Sequence, residues 1–191
     1  GSVVRVAYNN GDVAARFMAH EYFDLHGEQT DQLKDQLARF HAWHRREELP
    51  RYAALFGDAS GRLAAGLKRE DVAWAIAEVR GRYRATVEHA ADEFAPVAAT
   101  MRADNLAALE RKLAENNEKF AREFLSGDAA KQARARTKRL VNWFDEWLGT
   151  LTPEQEARIA AFAQAQPDLN RIRLEDRKRR QQEFVALLRD Y

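Results

Sequence analysis

Leu151-Thr152-Pro153-Glu154-Gln155 is a nearly complete helix start, and the reading of this stretch decides the fold class. Thr152 stands at the N-cap, where its hydroxyl can accept from the open backbone N–H groups of the first turn, and Pro153 follows at a position with no N–H to lose. Glu154 complements the helix dipole, and Gln155 completes a Thr-x-x-Gln capping box. Position 156 is Glu, so Leu151 has no apolar partner for a hydrophobic staple. Looser copies occur upstream: Leu25-His26-Gly27-Glu28-Gln29, Leu67-Lys68-Arg69-Glu70-Asp71 and Met101-Arg102-Ala103-Asp104-Asn105. Each precedes an amphipathic run. Their first positions, 25, 67, 101 and 151, are too unevenly spaced for a stacked repeat array. They are one recurring way of launching helices.

Working outward, the composition agrees with an all-α chain. Of 191 residues only 9 are Gly and 4 Pro, while 46% are hydrophobic and 32% charged. Ala, Leu, Arg and Glu dominate, so helix formers fill most positions. A net charge of +1, from 31 basic and 30 acidic residues, provides no field to attract a polyanion. From Lys131 onward there are 13 basic against 9 acidic residues, too small an asymmetry to imply nucleic-acid binding. With no cysteine, disulfides, thiolate catalysis and cysteine-ligated metal sites are excluded. The longest uncharged run, Ile159 to Pro167, is far short of the roughly 18 apolar residues that a membrane span needs. Gly1-Ser2 has the form of a cloning scar, which could replace a removed leader.

Along the chain, residues 1–11 read as a turn-rich lead-in ending Tyr8-Asn9-Asn10-Gly11, and residues 12–191 as one helical domain. Asp12 can cap a first helix through about Asp24. A second runs from about Gly27 to Leu49 with the stripe Leu33, Leu37, Phe40 and His44, and should stop ahead of Pro50. Pro50 opens a third, carrying Tyr52, Leu55 and Phe56 and loosened around Gly57 to Gly61. The fourth begins near Arg69 and carries Val72, Ile76, Val79, Tyr83, Val87 and Ala90 until Pro96 kinks or breaks it. A fifth spans about Arg102 to Leu125 with Leu106, Leu109, Leu113, Phe120 and Phe124. Ser126-Gly127-Asp128 is a stop and a new cap, and the next helix runs to Leu148 before Gly149 ends it. The capping box launches a helix with Ile159 and Phe162, and Pro167 opens the last, with Leu169, Ile172, Phe184, Leu187 and Leu188. This predicts a single bundle of about seven or eight antiparallel helices with short connections.

Several residue groups are candidates for chemistry. His41-Ala42-Trp43-His44, followed by Glu47 and Glu48, places potential ligands on neighbouring helix positions, but the histidines are three apart and the four-residue His-Glu-x-x-His spacing of metalloproteases is missing. His44 lies on the apolar stripe, so a hydrogen-bonded core histidine is the simpler reading, and no metal is expected. Asn116 and Asn117 fall three and four residues after Leu113, where the stripe calls for apolar side chains. Buried amides without partners cost roughly 1 to 3 kcal/mol each, so the pair should meet polar groups, with His44 and Arg45 the best candidates, or else set helix register. Trp143, Phe144 and Trp147 are either a binding platform or, more simply, a core face. The basic run Arg171, Arg173, Arg177, Lys178, Arg179 and Arg180 wraps round its helix with Glu175 and Asp176 inside it, the pattern of a solvated face; an anionic lipid surface is its alternative. No phosphate loop, nucleophile elbow or catalytic carboxylate pair stands out, so no catalytic residue and no cofactor is expected.

Tyr8-Asn9-Asn10, Tyr22-Phe23-Asp24-Leu25, Trp43 to Tyr52 (WHRREELPRY), Glu110 to Phe120 (ERKLAENNEKF) and Leu151 to Gln155 together resemble an uncharacterised family of Gram-negative bacterial lipoproteins of unknown function. The resemblance covers essentially the whole chain. It implies an upstream leader ending in an acylated cysteine, with Gly1 standing where that cysteine belongs and Ser2 after it, the usual outer-membrane sorting pattern. The expected address is therefore the periplasm, tethered to the outer membrane. Leu151-Thr152-x-x-Gln155 also looks like the Leu-Thr-x-x-Gln signature of small periplasmic helical proteins such as the Spy-like chaperones, although those are shorter and the capping-box chemistry explains the motif by itself.

The expectation that follows is a non-enzymatic, lipid-anchored envelope protein with a protein-interaction or chaperone-like role. Its partners would be proteins or unfolded clients, and not nucleic acid. Client holding would require exposed apolar and aromatic side chains, ringed by Arg, along a groove between helices. The alternative is an envelope hydrolase or metal-dependent enzyme using His44, Glu48 and Asn116 with Asn117.

Overall fold

A computed structural model describes residues 8–190 of the chain, and Gly1-Ser2 with its expected anchor lies outside the described residues. Within them the structure is all-α: α1 Gly11–Phe23, α2 Glu28–Trp43, α3 Leu49–Ala64, α4 Arg69–Ala98, α5 Ala103–Phe124, α6 Ala129–Leu148, α7 Pro153–Ala165 and α8 Asn170–Asp190. A π-helical turn, His44–Glu48, joins α2 to α3 without a break. Every other connection is short: 24–27, 65–68, 99–102, 125–128, 149–152 and 166–169. Tyr8 and Asn9, expected as turn, have helical backbone.

All four launch motifs work by one shared bond. The fifth residue of each accepts from the backbone N–H of the second: Gln29 Oε1 from His26 at 3.5 Å, Asp71 Oδ2 from Lys68 at 2.9 Å, Asn105 Oδ1 from Arg102 at 3.0 Å and Gln155 Oε1 from Thr152 at 2.9 Å. At Thr152 the box is reciprocal, since its hydroxyl accepts from Gln155 N–H at 3.3 Å. Asp128 likewise caps α6 by accepting from Lys131 N–H, and Gly149, at φ 79°, ends that helix in a conformation that suits glycine. Asp12 does not cap α1: the N-cap is Asn10, which makes no side-chain cap bond, and Asp12 instead pairs with Arg16 one turn on.

Proline behaves differently from the expectation at one position. The second helix does not stop ahead of Pro50; the chain stays helical from Glu28 to Ala64, Gly57 and Gly61 included. The π turn is the physical reason. Leu49 N–H reaches back five residues to the His44 carbonyl, and the widened turn accommodates a proline ring that would otherwise crowd the carbonyl four residues before it. Pro96 lies inside α4 but only two residues from its end.

The chain divides into two compact units, residues 8–109 with 188–190, and Glu110–Leu187. In the first unit, α2, the π turn and α3 form one long arm that runs antiparallel to α4, and α1 folds back on α2. Its core is the buried set Leu25, Leu33, Leu37 and Val97, against which Ala15, Ala19 and Phe23 of α1, Phe94 of α4 and Met101 pack. In the second unit α6 and α7 form a tight hairpin in which Arg136 donates to the Ala163 carbonyl, and Leu151, Ala163 and Leu174 are buried.

Candidate interaction surface

The π turn carries three of the residues that the sequence singles out. His44 is half-buried, shares a 2.9 Å hydrogen bond with the Tyr8 hydroxyl through Nδ1, and is flanked by the rings of Tyr8, Phe40, Trp43 and Tyr52. Burial holds its pKa below the ordinary 6.5; Glu48 opposes that shift and His41 adds to it. Arg45 donates to Asn9 Oδ1 at 2.9 Å and lies over the Tyr8 ring. Glu48 is 0% exposed. One of its oxygens accepts from Arg51 at 2.7 Å and lies 3.6 Å from Arg82 of α4, while the other is enclosed without a partner. The carboxylate is thus a tie between the two arms of the hairpin. A shallow, open depression of about 510 Å³ lies alongside, bordered by Asn9, Asp12, His41, Arg45 and Arg46.

Asn116 and Asn117 lie in the second unit, both half-buried on α5. Asn117 finds its polar partners on α8. Its amide donates to Gln181 Oε1 at 2.7 Å, and its carbonyl accepts from Arg177 at 3.0 Å and Gln181 at 3.3 Å. His44, Arg45 and Glu48, the other members of the expected polar group, belong to the first unit. The most enclosed polar pair is another one, made of two launch-motif residues. Gln29 donates to Asn105 Oδ1 at 2.9 Å and to the Thr100 carbonyl at 2.8 Å, and the Asn105 amide donates to the Phe23 and Asp24 carbonyls. The amides at motif position five were the available signal: a residue that must reach back to the N-cap points away from solvent whenever two helix starts are packed together.

Several apolar lines are left uncovered. Val72, Ile76, Val79, Tyr83 and Val87 of α4 are all exposed, Tyr83 at 71%, although the same line continues at Phe94 and Val97 into the core beneath α1. On α3, Leu49, Phe56 and Leu63, spaced by seven, are exposed as well. Arg62 and Asp71, bridged by a hydrogen bond, mark where α3 and α4 face each other. At 3.6 residues per turn, Leu63, Phe56 and Leu49 lie about 100° to 140° round from Arg62, and the α4 line about 80° to 160° round from Asp71. Because the helices are antiparallel, equal rotation from their mutual contact leads to the same side. The two apolar lines therefore share one face of the hairpin.

A family model matches residues 21–191, a family of unknown function. The chain belongs to the DUF6279 family. No curated protein and no solved structure matches it.

The remaining candidates of this DUF6279 chain lie in its second unit. Trp143 and Trp147 are exposed, the latter at 71%, and Phe144 is half-buried, so the simpler core reading of this trio is corrected. The rings touch one another, Trp143 edge-on to Phe144 at 5.0 Å and tilted to Trp147 at 6.1 Å, with Leu148 exposed beside them. The basic run on α8 is locally paired: Lys178 with Glu175, Arg179 with Asp176 and Glu183, and Arg180 with Asp176. Such pairing suits a solvated face. Among the described residues no three of His, Asp and Glu converge on a metal position, and no helix is long and apolar enough to cross a membrane.

Proposed function

We propose that this DUF6279 protein is a non-enzymatic interaction module that holds apolar segments of other proteins, a chaperone-like role. The observation that carries the proposal is the uncovered α3–α4 face, where eight large apolar side chains, Leu49, Phe56, Leu63, Val72, Ile76, Val79, Tyr83 and Val87, lie exposed on one side of a helical hairpin. Contiguous apolar surface of this kind marks interaction sites on soluble proteins. The exposed Trp143 and Trp147 add a second aromatic patch. A polar site built on the π turn gains less support. Glu48 is enclosed and engaged by two arginines, and Asn117 is engaged by Arg177 and Gln181. The periplasmic, outer-membrane address is part of the same proposal and is supported by the lipoprotein resemblance; fractionation of cells expressing the native gene, with globomycin sensitivity of its processing, tests it.

The holding role is tested by suppression of aggregation of a reduced, unfolded protein at several-fold excess of this chain and low salt. The wild type should suppress it, and Ile76→Glu with Val79→Glu should abolish most of the effect. Full suppression by that double variant, or none by the wild type, rejects the proposal.

A further inference from the structure

We infer that the α3–α4 face seats an amphipathic helix that carries acidic residues along one edge of its apolar spine. The inference rests on the interaction reading above and names the partner's chemistry. The apolar line from Val72 to Val87 is about 22 Å long at 1.5 Å per residue, four turns of a helix lying along it. The line runs on into Phe94 and Val97, where α1 already packs on the same side, so the open stretch prolongs a seat that a helix occupies at its other end.

Charge selects the occupant. On this side of the hairpin, over residues 49–64 and 69–88, the charged side chains are Arg69 and Arg80, about 160° and 180° round from Asp71 along the outer edge of α4, with Arg84 just past that edge at about 220° and Glu70 and Glu88 beyond it at about 260°. All three arginines are exposed, and none has a carboxylate partner among the described residues. Arg80 and Arg84 are one turn apart, a like-charge pair that disfavours an isolated helix. The α3 edge holds Ala53, Gly57, Ser60 and Ala64, small and uncharged. A second copy of the chain would set this edge against either those neutral residues or its own arginines, so self-association leaves three guanidiniums unanswered. A bilayer would surround the apolar patch with phosphates, whereas the cations line a single side. A helix with one acidic edge answers both the apolar line and the one-sided charge.

The test uses a fluorescein-labelled helical peptide of about 18 residues with a Leu and Ile spine and a Glu edge, its Gln-edged twin, and the full chain, read by anisotropy at low salt. The Glu peptide should bind about tenfold more tightly than the Gln peptide, and Arg80→Glu with Arg84→Glu should erase or invert that preference. These arginines are exposed, so folding is not at stake. Equal affinity for the two peptides, or a preference indifferent to charge reversal, overturns the inference. So does sedimentation as a dimer dispersed by Tyr83→Glu, or phosphatidylglycerol-vesicle binding lost in the arginine double variant with no peptide binding. Failure of the broader holding role reads differently: there, Ile76→Glu with Val79→Glu leaves aggregation suppression untouched, whatever the arginines do.

Discussion

Asn105 is 0% exposed and ties three segments together, accepting from Arg102 N–H and Gln29 and donating to the Phe23 and Asp24 carbonyls. Removing it takes one partner from Gln29, which keeps the Thr100 carbonyl, and one from the Phe23 carbonyl, while the Asp24 carbonyl keeps His26 Nδ1. Asn105→Ala is therefore expected to cost about 2 to 4 kcal/mol, measured by urea unfolding. A cost below about 1 kcal/mol would mean the amides find water instead. At His44 the prediction concerns pH. Its folded pKa lies below 6.5, so the unfolded chain takes up the proton first as pH falls. The stability that neutral His44 contributes is thus complete above about 6.5 and declines as pH drops from there towards the folded pKa. His44→Phe should flatten that decline between pH 7 and 5, read as the change in urea midpoint; an unaltered slope refutes the assignment. Only part of this was legible in the sequence. His44 announced itself by interrupting an apolar stripe, while Asn105 gave no periodic signal, because its burial depends on which helix start lies opposite.

The elements were the most readable level, since capping is settled by residues within a single turn. Thr152→Ala should cost about 1 kcal/mol, the usual worth of such a cap, with the loss visible in the thermal midpoint. The π turn is the informative exception. A proline rule predicted a break before Pro50, and the chain instead added one residue to a turn and continued. If that turn relieves the ring's clash, Pro50→Ala should change stability by less than about 1 kcal/mol; a gain approaching the ~3 kcal/mol of a strained interior proline would show that strain persists. The turn also shifts the helix phase, so the line Leu33, Leu37, Phe40 and His44 gives way to Leu49, Phe56 and Leu63 on α3. Local rules could not foresee this, because the π turn packs against α4, where Glu48 lies 3.6 Å from Arg82.

At the scale of the whole molecule, the distinction that matters is between apolar lines that are covered and those that are not. Leu33 in the first unit's core is buried, and Leu33→Ala should cost about 2 to 5 kcal/mol. Ile76→Glu with Val79→Glu, on a line of the same kind, should alter stability by less than about 1 kcal/mol in urea unfolding, because both side chains already face solvent. A large loss would mean that the line is covered in solution. The same contrast marks what the chain's residue order determined unaided. It determined the all-α class, nearly every helix boundary and the four starts, since capping bonds and amphipathic spacing operate over a handful of neighbouring residues. It could not determine which stripes would meet a partner stripe, because Val72 to Val87 and Leu33 to Leu37 have the same periodicity and the same chemistry. Tertiary structure alone decided that, by laying α1 over one end of the hairpin and leaving the other end bare. Burial is a property of two surfaces, and a single helix encodes only one of them.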